Sequence, residues 1–245
     1  MQNSKLTFKE GIKDGIPIAL GYFFVSLGFG ITAVNSGLSL LAAVIVSFTN
    51  VTSAGQVAGI EILTAGTSLG AAVVEMLLTE FVINLRYSLM SISLTQKLDS
   101  TFNTGNRLLV SFYITDEIFA VSSVKKDRIG VKYMLGLGLL PLACWSLGTV
   151  SGALLASWLP PEISAVFGIA IYGMFMSIVI PPAKKDRGIL VCVLIALALS
   201  CMIFYIPAFD FITSGFSIII CAVVSSVICA LIFPVKEIDG EGEGS

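Results

Sequence analysis

Apolar runs of about 20 residues, separated by short charged clusters, fill almost the whole of this 245-residue chain. A hydrocarbon core about 30 Å thick needs about 20 apolar residues per crossing helix. Within it every backbone polar group must be satisfied internally, which leaves helices or closed barrels. Runs of this length predict an all-α, polytopic integral membrane protein. Composition agrees, since 12% charged residues and 56% hydrophobic ones lie far from the roughly 25% charge of a soluble domain. The runs leave no room for a separate soluble domain, so residues 1–235 are read as one transmembrane domain. The stretch 236–245 is acidic and glycine-rich with no apolar face. It is expected to be disordered, or to be an appended remnant. The N-terminus is too charged for a signal-peptide core and is expected to be retained.

Several chemistries are excluded by content. The chain has no histidine, which removes imidazole as a base, a proton relay or a metal ligand. Its five cysteines, Cys144, Cys192, Cys201, Cys221 and Cys229, lie inside apolar runs at no ligand-like spacing. They read as small hydrophobes, with neither a disulfide framework nor a metal site implied. No cofactor is indicated. The basic residues form short juxtamembrane clusters, which argues against nucleic acid and for contact with the bilayer surface.

The stretch from Val46 to Tyr87 is apolar yet interrupted. Its first part stops at the small polar patch from Thr49 to Gln56 and resumes as a second apolar piece ending at Gly66. Each piece, about 11 residues and about 16 Å at 1.5 Å per residue, covers about half a bilayer. Pro17 is expected to open the first span, running to about Val34. The charged turns before it, with Phe8, Ile12 and Ile16 at helical spacing, read equally as a surface helix or a tail. A third run, Ser68 to Leu94, is long enough to cross. The next, Leu108 to Val124, is short, has Asp116 and Glu117 at its middle and is flanked by basic residues on both sides. Four plainer runs follow: 134–159, 163–181, 189–206 and 216–233.

Six to eight membrane segments result. With the broken segment dipping in from outside and the Asp116 run from inside, six spans remain. Both termini are then cytoplasmic, and every Lys and Arg except Arg86 is inside. The rival arrangement lets both segments cross, giving eight spans with Lys97 and Arg107 outside.

Ionisable residues at membrane depth are functional candidates by default. On a 3.6-residue helix Glu75, Thr79, Val82 and Arg86 share one stripe, so Glu75 and Arg86 share a face without touching. Glu80, Asn84, Tyr87 and Ser91 form a second stripe about 140° away. Asp116 and Glu117 point about 100° apart and cannot form one paired-carboxylate site. Snorkelling of Arg86 and simple solvation of the two acids are the structural alternatives. The break at Thr52 to Gln56 offers a half-helix N-terminus, whose free N–H groups and positive dipole end suit an anionic group, with Ser53 and Gly55 allowing close approach. Plain helix packing explains small residues equally well.

Taken in order, Phe8, Gly11, Pro17, Gly21, Tyr22, Gly28 and Gly30, then Ala54-Gly55-Gln56, Asn84-Leu85-Arg86-Tyr87, Thr115-Asp116-Glu117 with Phe119-Ala120, Trp145 with Gly148 and Gly152, and Met174-Phe175 resemble the AzlC family. These are the large subunits of bacterial branched-chain amino acid exporters of the AzlCD and YgaZH type. Two departures bear on substrate range: no acidic residue near the start of 167–176, and Glu75 within the third run. The resemblance implies a bacterial plasma-membrane permease exporting leucine, isoleucine, valine and similar amino acids with a small hydrophobic AzlD-type subunit.

For such a zwitterion the residues suggest a substrate-binding set of Ser53, Gly55, Gln56, Asn84, Arg86 and Asp116. The carboxylate would meet the 53–56 backbone with Arg86 or Asn84, and the ammonium Asp116 or Glu80. Phe23, Phe24, Phe48 and Phe119 would form an apolar wall. Glu80, Asp116 and Glu117 are the candidates for proton coupling. A non-transporting scaffold or channel-like subunit is the alternative function. A membrane enzyme is disfavoured, because no nucleophile stands beside a base.

Overall fold

A computed structural model describes residues 6–66 and 68–233. The predicted disorder of 236–245 lies outside that range. Among the described residues ten α-helices and one 3-10 turn occur, with no strand beyond an isolated bridge. They fall into two compact units, Met1–Phe175 and Met176–Ser245.

A capping box starts the first helix, α1 (Phe8–Asn35): the Glu10 N–H donates to Thr7 Oγ1, and the Thr7 N–H to the Glu10 carboxylate at 2.7 Å. The helix therefore begins nine residues before Pro17, which lies inside it and not at its start. Proline forfeits one ladder bond at a cost of about 3 kcal/mol. Packing against a second long helix, α7 (Val131–Leu155), offsets that cost. A Cβ on Gly11 would stand 2.2 Å from the Tyr133 carbonyl oxygen, and one on Gly152 2.0 Å from that of Leu27. The two backbones thus touch through glycine faces, and residue numbers rise together along both, so α1 and α7 run parallel.

After α1 the chain turns through Gly37 at φ +93°, with Leu38 N–H donating to Ala33 O and Gly37 N–H to Val34 O, the Schellman arrangement that requires glycine. Two short helices follow, α2 (Leu40–Thr49) and α3 (Ser53–Thr64), separated by an extended break at 50–52. The broken segment is thus two half-span helices, as the polar patch predicts. Ala43 of α2 and Ile60 of α3 share one buried cluster with Phe29 and Ala33 of α1. Both limbs therefore lie beside the C-terminal half of α1, and the pair is a hairpin that enters and leaves at the same face. Gly66, at φ +72°, then leads to α4 (Leu69–Thr95), which runs back along α3.

The Leu108–Val124 run is not one helix. It divides into α5 (Thr104–Ser111) and α6 (Asp116–Ser123), with the break at 112–115. Asp116 and Glu117 consequently stand in the first turn of α6 and not at mid-helix. Thr115-Asp116-Glu117 is a helix start, an N-cap residue followed by acids that favour the positive dipole end. The segment leaves and returns to one face, because the loops at its two ends are joined. Asp99 N–H donates to Ile129 O at 3.0 Å, and Ile129 N–H to Lys97 O at 2.9 Å. Val131 N–H donates to Thr101 Oγ1 at 3.0 Å, and the Lys97 ammonium donates to the carbonyls of Ser123 and Lys125. An eight-span arrangement, which puts these loops on opposite sides, is incompatible with that contact.

Long helices α8 (Pro161–Lys185), α9 (Arg187–Tyr205) and α10 (Ser214–Ile232) complete the described chain. In the second unit α9 and α10 pack together, joined through the turn Pro207–Phe209. Among the described residues α1, α7, α9 and α10 are long and apolar enough to cross a bilayer. The 27-residue α4 has the length but carries Glu75, Glu80 and Arg86. All five cysteines are free thiols; Cys229 is buried, Cys144, Cys192 and Cys221 are half-buried and Cys201 is exposed, so the reading of all five as buried small hydrophobes holds in full only for Cys229.

Candidate functional site

The two hairpins enter from opposite faces and their tips meet near the middle of the first unit. Tyr22, at the midpoint of α1, fixes the α5–α6 tip: its hydroxyl lies 2.6 Å from both Thr115 Oγ1 and Glu117 Oε2. Ser47 Oγ and Thr149 Oγ1, both fully buried, bond at 2.6 Å and pin α2 to α7 just before the other tip. The Phe48 and Phe112 rings, one from each hairpin, have centroids 6.5 Å apart.

A cavity of about 250 Å³ lies where the tips meet. The first tip contributes Thr49 to Thr52, the second Ser111, Phe112 and Ile114, and α4 adds Asn84 and Tyr87. No charged side chain lines it directly. The charges stand one layer back, and they are of opposite kind at two places.

Behind Asn50 and Asn84 is Glu80. Its carboxylate accepts from Asn50 Nδ2 at 3.0 Å and Asn84 Nδ2 at 2.9 Å. It also lies flush on the first turn of α3, where a Cβ on Gly55 would stand 2.2 Å from Glu80 Oε1. Gln56, 1% exposed, donates its amide N–H to the Asn50 carbonyl and leaves Oε1 without a partner. The turn read as a seat for a substrate carboxylate is thus covered by a carboxylate of the protein itself. Ser53 begins α3 next to this turn, outside the cavity lining.

Behind Tyr87 is Arg86, whose guanidinium is 3.3 Å from the Tyr87 hydroxyl and 2.8 Å from Asp116 Oδ2. The adjacent acids of α6 therefore serve different neighbours, Asp116 reaching Arg86 of α4 and Glu117 reaching Tyr22 of α1. Glu75, on the same stripe of α4 as Arg86 and three turns before it, is buried at 3% exposure. None of the four aromatic wall candidates lines the cavity, and Phe24 and Phe48 are 60% and 54% exposed.

Sequence reasoning missed Asn50, Tyr22, Thr115 and the Ser111–Ile114 segment. Asn50 had a signal, being the polar residue between two apolar half-helices. Tyr22 stands among the residues that carry the family resemblance, but its role was not readable, because its partners lie 93 and 95 residues away.

A second, smaller cavity of about 170 Å³ adjoins the first, sharing Ser111 and Ile114 as wall.

Comparison with known proteins agrees with this architecture at the level of class. The chain is 31% identical over 198 residues to the inner membrane protein YgaZ of Escherichia coli strain K12, covering 78% of each chain. It is 28% identical to an uncharacterized membrane protein of Archaeoglobus fulgidus, over 72% of this chain and 76% of that one. A membrane protein of Helicobacter pylori strain 26695, also uncharacterized, is 30% identical over 61% of this chain and 64% of its own. No solved structure matches. The profile described as AzlC protein matches residues 17–159, the span that holds both hairpins, and the chain belongs to the AzlC family.

Proposed function

We propose that this protein is the permease subunit of an exporter for leucine, isoleucine, valine and similar apolar amino acids, working with a small hydrophobic AzlD-type subunit and leaving its substrate chemically unchanged. The observation that carries the reading is the polar cavity between two half-span hairpins. Such a break at membrane depth is tolerated only against protein or a wet cavity, and transporters bind solutes at such discontinuous helices. The volume suits a small solute rather than a lipid or peptide. A zwitterion also matches the charges behind the wall. Its ammonium faces Asn50, Asn84 and the Glu80 carboxylate behind them, and its carboxylate faces Tyr87 and the Arg86 guanidinium.

Orientation follows from charge. In the first unit Lys97, Arg107, Lys125, Lys126, Arg128 and Lys132 all belong to the face joined by the 97–101 and 123–131 contacts or to the helix starts at it. The positive-inside bias makes this face, and with it the N-terminus, cytoplasmic in a bacterial plasma membrane. Glu80 is the preferred coupling carboxylate. Two neutral amides hold it, whereas Asp116 is already matched by Arg86.

Counterflow of labelled leucine in liposomes, with and without the co-purified small subunit, tests the function. Leucine exchange above empty liposomes, lost in Asn50→Ala and Asn84→Ala, is the expected result. Absence of exchange with both subunits present refutes the permease reading. Retention of full pH-driven flux by Glu80→Gln refutes the coupling role.

A further inference from the structure

We propose that the cleft between the end of α8 and the start of α9 binds one anionic phospholipid of the cytoplasmic leaflet, with its phosphate held by Lys184, Lys185 and Arg187 and an acyl chain lying in the apolar cleft beside them. The site belongs to the second unit, and its occupancy does not depend on what the first unit carries.

The cleft follows from how the two helices are joined. α8 ends at Lys185 and α9 begins at Arg187, with Asp186 alone between them, so the two diverge from one point. Among the described residues α9 finds its main packing against α10. Pro181 and Pro182 lie inside the end of α8, a pair that withdraws two ladder donors and favours a bend. The space left between the helices is a cavity of about 600 Å³. Met176, Val179, Ile180 and Ala183 line it from α8, at the spacing of a single helical face, and Leu190 and Val193 from α9. The α8 wall, 176–185, is about 15 Å long at 1.5 Å per residue, about half of a hydrocarbon core about 30 Å thick. The cleft is therefore one leaflet deep. A partner helix that crosses the bilayer needs both leaflets, whereas an acyl chain occupies one.

Charge at the apex selects the head group. Lys184, Lys185 and Arg187 line the same cavity. Asp186 stands among them, but its Oδ1 accepts from the Gly188 N–H at 2.7 Å and the Ile189 N–H at 3.1 Å. That carboxylate is committed to capping α9, and the backbone donors it takes are closed to a ligand. The anion is therefore met by side chains. Among the described residues the ion pairs are Arg86 with Asp116 and Lys125 with Asp14, which leaves the three cations at the apex uncompensated. Arg187 suits two phosphate oxygens at once, and the lysines act as point charges. The positive-inside bias puts such a turn at the cytoplasmic surface, where anionic lipids gather and where basic pockets between helices take their head groups. A zwitterionic lipid would bring a fourth cation to the same place. Basic residues on a plain surface attract anionic lipid without fixing its chain; here the cleft fixes the chain as well.

The test places the full chain in phosphatidylcholine nanodiscs with a small fraction of phosphatidylglycerol whose acyl chain carries a photoactivatable group, against phosphatidylcholine bearing the same chain. Cross-links read by mass spectrometry are expected within 176–193. Phosphatidylglycerol should be favoured by about tenfold or more, since each surface cation adds about fivefold for an anionic lipid. Lys184→Gln with Lys185→Gln and Arg187→Gln, all at exposed positions, should abolish that preference. Ile180→Trp, at a position 36% exposed and lining the cleft, should lower labelling by both lipids several-fold. Inorganic phosphate should compete no better than chloride at equal ionic strength, and displacement by phosphate alone would overturn the role of the chain. Equal labelling by the two lipids, a preference that survives loss of the three cations, or chain cross-links outside 176–193 overturns the site. So does a preference that emerges only when residues 236–245 are removed, which would make the acidic tail the occupant of the basic turn.

Discussion

Adding a single methyl group to α3 should have opposite effects at two glycines one turn apart. Alanine in place of glycine favours a helix by about 1 kcal/mol. At Gly59 the new Cβ would meet only Met76 Cε at 3.8 Å, ordinary contact, so Gly59→Ala should stabilise by up to that amount. At Gly55 it would stand 2.2 and 2.6 Å from the Glu80 carboxylate oxygens. Glu80 must then leave the turn and the amide groups of Asn50 and Asn84. Hydrogen bonds to a charged group are worth about 1.5–3 kcal/mol each. If one re-forms after the side chain swings away, the net cost of Gly55→Ala, after the helix gain, is about 0.5–2 kcal/mol. At about 2–4 °C per kcal/mol for a chain of this size, thermal unfolding in detergent should fall by about 1–8 °C for Gly55→Ala. For Gly59→Ala it should rise by about 2–4 °C. In a Glu80→Ala background the penalty at Gly55 should vanish and its sign reverse. Equal effects at both glycines, or a Gly55→Ala cost that survives removal of Glu80, would refute the assignment of the carboxylate to this turn.

Three further expectations follow from the same contacts. Arg86→Ala should abolish leucine exchange and destabilise by about 1–3 kcal/mol, less than the 3–5 of a fully buried pair because the arginine side chain is 49% exposed. Much of the stability, but not the transport, should return in Arg86→Ala with Asp116→Asn, and a double variant no more stable than the single one would count against the pair. Tyr22→Phe removes the hydroxyl shared by Thr115 and Glu117 and should lower thermal stability by the equivalent of about 1–3 kcal/mol; no change would mean the tip is held elsewhere. Cysteines placed at Thr101 and Lys126 should react with an impermeant maleimide from the same side of the membrane, and labelling from opposite sides would contradict the joined loops.

How much of this was legible beforehand depends on the range of the interaction. The α2–α3 break was readable because small polar residues interrupt an apolar run, and local composition governs where a helix stops. The α5–α6 break was hidden for the opposite reason. Phe112, Tyr113 and Ile114 are apolar, so the run looked continuous, and only the Thr115 cap betrayed it. Pro17 misled because a ring that ends most helices is tolerated where the helix face is held against a neighbour by Gly11 and Gly15. Helical spacing correctly gave Asp116 and Glu117 different neighbours. It carried no information on which helix each would meet, and the partnership of Arg86 with Asp116 joins residues thirty positions apart.

On the permease reading, the opposed hairpins also determine how a solute leaves the cavity. Each tip is anchored to one face of the first unit only, and each covers the cavity from its own side. Withdrawing α2–α3 opens a route to one side of the membrane, and withdrawing α5–α6 a route to the other. The spanning helices α1, α4 and α7 need not move in either case. The two hairpins are held by separate side-chain bonds, Ser47–Thr149 and Asn50–Glu80 for one and Tyr22–Glu117 and Arg86–Asp116 for the other. If the chain is the proposed permease, this arrangement would expose its cargo to the two sides in turn by loosening one short segment at a time, and the leak rate would be set by how seldom both are loosened together.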